Sequence, residues 1–216
     1  MDVPQEQEVA VKVQLSNMEK KLVLVFTRNP EFGKVKTRLA ASIGKQNALE
    51  VYIHLLKHTK NCLSQVNASK RVLYTEVIGQ NDIWDDSLFD KELQKGNDLG
   101  ARMKNAFEKG FKDGFNKIVI VGSDLPTLAS DDIKNAFLLL DKNDVVIGPA
   151  EDGGYYLLGL KSIPDGIFEN KVWGTNTVLN DTLKNISTKK TAFLKMKNDI
   201  DTLEDLKNIP EFKKYL

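Results

Sequence analysis

Residues 118–121, Ile-Val-Ile-Val, are four consecutive β-branched aliphatics, and Gly122, Ser123, Asp124, Leu125 and Pro126 end the run at once. β-branched side chains favour extended backbone, and a short apolar run without polar alternation suits a strand covered on both faces. Strands of that kind belong to parallel sheets sandwiched between helices. The run therefore points to an α/β architecture. It also places Asp124 at the carboxyl end of a central strand, where open α/β sheets bind their ligands.

The rest of the chain alternates as that architecture requires. Strand-like runs fall at residues 22–26, 71–76, 117–121, 144–147 and 155–159, with a short one near 191–194. Helical spacing falls at 46–63 (Leu49, Ile53, Leu56, Leu63) and at 99–115 (Met103, Ala106, Phe107, Phe111). Further helices are expected at 131–140 and 175–186, with helical turns from Leu203. This alternation predicts a three-layer α/β/α sandwich around a mainly parallel sheet. No internal repeat and no Pro/Gly/Ser-rich linker interrupts it, so one domain is expected over residues 21–216. In residues 1–20, Val9, Val11, Val13 and Leu15 alternate with mostly polar residues. That stretch reads either as a strand or as a peripheral extension, and we take it as an extension.

Charge and cysteine content exclude several function classes. The 31 basic residues against 30 acidic ones leave a net charge of +1, without the basic excess of a nucleic-acid or anionic-membrane binder. A single cysteine, Cys62, allows neither an internal disulfide nor a cysteine-cluster zinc site. It fits a reducing compartment, and a cytoplasmic location is expected. No apolar stretch approaches the roughly 18 residues of a membrane span, and no apolar signal-peptide core is apparent. His54 and His58 share a helix face, yet a zinc site needs a third ligand.

Five segments carry groups capable of chemistry. Residues 27–39, TRNPEFGKVKTRL, follow the first strand and hold Arg28, Lys34, Lys36 and Arg38 against one acid, Glu31. With Gly33 allowing close backbone approach, the loop suits a di- or triphosphate, although it is no Walker A loop. Asp124 reads equally as a turn cap and as a ligand of a hard cation. Residues 148–159, GPAEDGGYYLLG, read as a hairpin with Asp-Gly turn chemistry, or as a close-approach turn carrying Glu151 and Asp152. In residues 197–206, KNDIDTLEDL, Thr202 or Asp201 can cap the last helix, with Asp205 in its first turn; of Asp199 and Asp201, we expect only one to face a given site. In residues 94–103, QKGNDLGARM, Asp98 is a helix cap and Arg102 lies in the first turn.

Taken in order, FTRNPxxGxVKTRL, QxGxDLGxRM, GSDLPxL, DVVIGPAEDGGYYLLGL, VW and DIDTLEDL resemble the DUF2064 family of GT-A-like proteins, often labelled glycosyltransferases. The resemblance spans about residues 21–206. It implies the nucleotide-diphospho-sugar transferase fold, shared with guanylyltransferases of the molybdenum cofactor and of 2-phospho-lactate. It implies that residues 33–38, with Gly33, Lys34, Lys36, Thr37 and Arg38, grip phosphate. It implies that Asp124 binds metal, that Glu151, Asp152, Gly153, Gly154 and Tyr155 hold the acceptor or sugar, and that residues 199–201 lie near a second acidic position. The glycine-rich loop LxxGxxxRMGxxK of nucleotidyltransferases is missing, which leaves the donor base open.

The expectation that follows is a metal-dependent transferase with a nucleotide-activated donor and a small acceptor. Mg²⁺ or Mn²⁺ would be held by Asp124 and one of Asp199 and Asp201. Lys34, Lys36, Arg38 and Arg102 would meet phosphate, and Asp152 or Glu151 would orient or deprotonate the acceptor. Trp173 is either a stacking platform or a partly buried core residue. Glycosyl transfer from a nucleotide sugar is the leading form. Nucleotidyl transfer from a nucleoside triphosphate is the alternative, and a non-catalytic nucleotide-binding protein is a third reading.

Overall fold

The computed structural model describes residues 20–207 and 209–216; the reading of residues 1–19 lies outside them. Among the described residues, seven strands form one sheet: β1 (Lys21–Thr27), β2 (Ser69–Tyr74), β3 (Asp90–Leu93), β4 (Lys117–Gly122), β5 (Val145–Pro149), β6 (Tyr155–Leu160) and β7 (Thr191–Phe193). Their spatial order is β3-β2-β1-β4-β6-β5-β7. Only β6 runs antiparallel to its neighbours, β4 and β5; the remaining pairs are parallel. The helices are α1 (Thr37–Ile43), α2 (Lys45–Ser64), α3 (Leu99–Lys112), α4 (Ser130–Leu139), α5 (Val178–Asn185) and α6 (Leu203–Lys207), followed by a 3-10 turn at Pro210–Tyr215.

Strand alternation sorts the core into two layers. Val23, Val25, Val119 and Val121 face one way and meet Tyr52, Leu56 and Leu63 of α2 and Ile133, Ala136 and Phe137 of α4. Leu22, Leu24, Ile118 and Ile120 face the other way and meet Met103, Ala106 and Phe107 of α3, with Leu179 and Leu183 of α5 packed alongside. A third cluster joins Leu39 of α1 and Val51 and Leu55 of α2 to Ile200, Leu206 and Phe212 of the C-terminal segment. That cluster corrects the helical face expected for α2. The helix lies between the sheet and the tail, so Val51, Tyr52 and Leu55 are buried where Leu49 and Ile53 were expected.

Two elements differ from the sequence reading. Strand β3 has the sequence DKEL, whose charges suit an edge strand but carry no apolar signal. Helix α1 is separate from α2 because Gly44, at φ 86, breaks the chain between them.

Strand order reverses between β1 and β4, the central parallel pair. A crevice opens outside their carboxyl ends, as it does at such reversals generally. Among the described residues, no helix is long and apolar enough to cross a membrane.

Candidate functional site

The crevice is built on a buried hydroxyl network. Tyr52 of α2 accepts the Arg28 backbone N–H at 2.9 Å and donates to the Arg28 carbonyl at 3.2 Å. Its hydroxyl also lies 3.3 Å from Thr27 Oγ1 and 3.4 Å from Ser123 Oγ. Thr59 donates to the Ser123 carbonyl at 3.2 Å. Gln94 donates to the carbonyls of Thr27 and Leu73 at 3.2 and 2.9 Å. These contacts fix the ends of β1, β2 and β4 relative to α2. Sequence reasoning missed Thr27, Tyr52, Ser123 and Gln94, because each stands in a segment read as strand, helix or loop.

At the end of β4, Asp124 meets a side chain from the first basic loop. Lys36 Nζ donates to Asp124 Oδ2 at 2.6 Å and to Asp201 Oδ1 at 3.0 Å. The Lys36 side chain is only 4% exposed. Burial opposes its charge, but the Asp124 and Asp201 carboxylates outweigh that and hold its pKa above the ordinary lysine value. Its backbone is left-handed, φ 46 and ψ 47, a conformation that costs a non-glycine residue about 1–3 kcal/mol and is concentrated at functional sites.

Both late acids enter the site, which overturns the expectation that only one would. Residues two apart in extended chain share a face. Ile200 between them is fully buried in the third cluster, so Asp199 and Asp201 both turn to the crevice. Thr202 caps α6: its Oγ1 accepts the Asp205 N–H at 3.5 Å, while Asp205 Oδ2 accepts the Thr202 N–H and the Thr202 hydroxyl, each at 2.7 Å. This capping pair leaves the Asp201 carboxylate to Lys36 and to Arg38.

One carboxylate oxygen from each of Asp124, Asp199 and Asp201 lies within 4.8 Å of the others. Burial, and then the charge of Asp124, push the Asp199 pKa up to about 6. A cluster of acids whose charges oppose one another is relieved by a cation, and an all-oxygen donor set suits a hard one such as Mg²⁺ or Mn²⁺. The residues present therefore fit a divalent metal, with the Lys36 ammonium already supplying positive charge to two of them.

Two cavities meet at this point. The larger, about 810 Å³, is lined by five cationic residues, Arg28, Lys34, Lys36, Arg38 and Arg102, and by Thr37. Lys34, on the rim, pairs with Glu31 at 2.7 Å and Glu76 at 3.3 Å. Arg102 donates to the Gly96 carbonyl at 3.1 Å. Gly33 takes φ 75 where the loop turns. The smaller cavity, about 200 Å³, is lined by Asp152, Gly154, Tyr155, Tyr156 and Trp173, and shares Leu99, Asp124, Gly174 and Asp199 with the first.

The 148–159 segment is a hairpin between β5 and β6, as its turn chemistry indicated. The Gly153 N–H donates to the Ala150 carbonyl at 3.2 Å, and Asp152 Oδ1 accepts the Gly154 N–H at 2.8 Å. The same turn also lines the smaller cavity. Glu151 is exposed and lines neither of these two cavities. Tyr155 packs against the α3 layer, and burial raises the pKa of its hydroxyl. Asp98 caps α3 by accepting the Ala101 N–H at 2.8 Å. The two histidines are held apart: His54 packs edge-on against Phe212, and His58 Nε2 lies 2.8 Å from the Leu128 carbonyl.

A family model described as "Uncharacterized protein conserved in bacteria (DUF2064)" matches residues 58–175. A solved structure from Desulfovibrio desulfuricans G20, named as a candidate nucleotide-diphospho-sugar transferase, is 33% identical, with a TM-score of 0.78 over 86% of this chain and 84% of that one. A cytidylyltransferase from Leptospira borgpetersenii, 16% identical, shares the fold with a TM-score of 0.57 over 86% of this chain and 83% of that one. In sequence, the chain is 27% identical over 130 residues to a 2-phospho-L-lactate guanylyltransferase of Methanocaldococcus sp. (strain FS406-22), covering 59% of this chain and 54% of that one. The chain thus spans about half the length of that curated relative.

Proposed function

The chain belongs to the DUF2064 family, and on that premise we propose that it is a nucleotidyltransferase, joining a nucleoside monophosphate from a nucleoside triphosphate to a small acceptor. The observation that carries this reading is the position of the three acids and Lys36, at the junction of a cation-rich cleft and a second, smaller cavity. The guanylyltransferase relative supports nucleotidyl transfer over the glycosyl transfer that the sequence put first.

In this reading the triphosphate lies in the larger cleft, where Arg28, Arg38 and Arg102 meet its oxygens. Guanidinium groups suit phosphate because their donors form a planar fork. An anionic phosphate oxygen of the acceptor arrives from the smaller cavity and attacks the α-phosphorus. The new P–O bond forms as the bond to the β-phosphate breaks, and pyrophosphate leaves. Lys36, held at its charged state by Asp124 and Asp201, stabilises negative charge growing on the phosphates. Asp124, Asp199 and Asp201 would hold Mg²⁺ or Mn²⁺, which when bound would polarise phosphate oxygens. Asp152, fixed by the Gly154 N–H, orients the acceptor.

Transfer of a sugar from a nucleotide sugar is the second reading, favoured by the description of the 33% identical structure. The products separate the two. Incubation with each nucleoside triphosphate, Mg²⁺ or Mn²⁺ and a panel of phosphorylated acceptors should release pyrophosphate. Release of nucleoside diphosphate from nucleotide sugars, without pyrophosphate from triphosphates, would overturn nucleotidyl transfer.

A further inference from the structure

The two cavities that meet at Asp124 and Asp199 have opposite chemistry. Among the described residues, five lysine and arginine side chains line the larger one and none lines the smaller. Its walls include Leu99, Met103, Leu125, Tyr156, Trp173 and Val178, and among the described residues its charged lining groups are Asp124, Asp152 and Asp199. This wall is built by close packing. A Cβ on Gly100 would lie 2.7 Å from Trp173 Nε1, so the indole rests on the bare backbone of α3. A Cβ on Gly153 would lie 2.3 Å from the Asn176 carbonyl oxygen, so the hairpin turn and the 173–178 segment lock together.

Lys36 and a metal ion at Asp124 and Asp199 would serve the reacting phosphates, so a carboxylate on the acceptor's body would leave water for the Asp152 side of the cavity, which no lysine or arginine lines, and an unpaired charge there is costly. A flat or branched apolar body would instead displace water from aromatic and aliphatic walls. Resting on the transfer reading above, we propose that the acceptor has an uncharged, largely apolar body that fills the smaller cavity, with its reacting phosphate at the Asp124–Asp199 end. The acceptor class is thereby separated from small phosphorylated acids such as the 2-phospho-L-lactate named for the curated relative. Specificity of this kind is set by leaving a charge without a partner as much as by favourable contact.

Binding of two probes to the full chain, in Mg²⁺ with a non-hydrolysable nucleoside triphosphate analogue, tests this without turnover. Benzyl phosphate and 2-phospho-L-lactate share a phosphate head and differ in body. Calorimetric titration should show benzyl phosphate binding at least about tenfold more tightly. Leu99→Arg, at a half-exposed position shared by both cavities, adds the missing cation and should narrow or reverse that ratio. Trp173→Leu should weaken benzyl phosphate more than 2-phospho-L-lactate. Equal binding, or tighter binding of 2-phospho-L-lactate by the unaltered chain, overturns the acceptor class. Failure of the triphosphate analogue itself to bind overturns instead the nucleotidyl-transfer reading on which it rests.

Discussion

Lys36 Nζ lies 2.6 Å from Asp124 Oδ2 although 88 residues separate the two in sequence. The lysine reaches the acid from a left-handed backbone and is almost wholly buried, while Asp124 remains partly open to the crevice. One end of the pair is thus fixed by the fold and the other is free to meet a ligand.

Lys36→Met keeps the aliphatic stem and the backbone strain and removes only the ammonium. Three acids are then left facing one another. The acids are partly exposed, so the expected loss is about 1–2 kcal/mol, below that for breaking a fully buried pair. Mn²⁺ should restore more of the melting temperature in this variant than it adds to the parent. Thermal denaturation with and without Mn²⁺ checks this; an equal Mn²⁺ increment in both would refute the shared-charge account.

Asp199, with its pKa raised to about 6 by burial and then by Asp124, makes metal-free stability depend on pH. The folded chain holds this proton more tightly than the unfolded chain, whose aspartates titrate near 3.9. Its contribution is therefore present below about pH 4 and is lost as pH rises through about 6. Asp199→Asn should raise the stability of the chelator-treated protein above pH 6 by up to about 3 kcal/mol. The same variant should lose the stabilisation that Mg²⁺ or Mn²⁺ gives the parent. Denaturant titrations at pH 5 and pH 7.5 measure both effects, and an unchanged metal response would remove Asp199 from the cation site.

Ile200 touches no ligand in this account, yet it holds the two acids beside it in place. Ile200→Ala empties part of the cluster formed with Leu39, Val51 and Phe212 and should cost about 2–5 kcal/mol. Affinity for Mn²⁺ should fall with it, at temperatures well below unfolding. Manganese titration followed by electron paramagnetic resonance would show this; parent-like affinity in the folded variant would mean the tail positions its acids by other contacts.

Gly153→Ala combines a backbone at φ 87 with a collision against the Asn176 backbone. The turn must move away from the 173–178 segment, so the smaller cavity changes shape while the cation-rich cleft does not. Nucleotide affinity should stay within about twofold and acceptor KM should rise by tenfold or more, in line with the cost of a misplaced positioning group. Steady-state kinetics with each substrate varied in turn would reveal the split, and equal loss on both substrates would argue against it.

The sequence by itself determined the layers of this protein. Unbroken apolar runs such as residues 118–121 can only be satisfied between two helical layers, and the period of 99–115 selects the face of α3 that covers them. It also determined that Asp124 closes the central strand, that Asp98 caps a helix and that Thr202 or Asp201 caps the last one with Asp205 in its first turn, because capping is local chemistry; the choice of Thr202 came from the structure. Strand β3 was not legible, since an edge strand made of Asp, Lys, Glu and Leu satisfies its backbone through a neighbour rather than through apolar burial. The grouping of Lys36, Asp124, Asp199 and Asp201 was decided only by tertiary structure. Strand order brings the ends of β1 and β4 together, and burial of Ile200 against α1 and α2 returns the tail to them. Those contacts join residues far apart in sequence, and their side-chain directions depend on packing that no local pattern encodes.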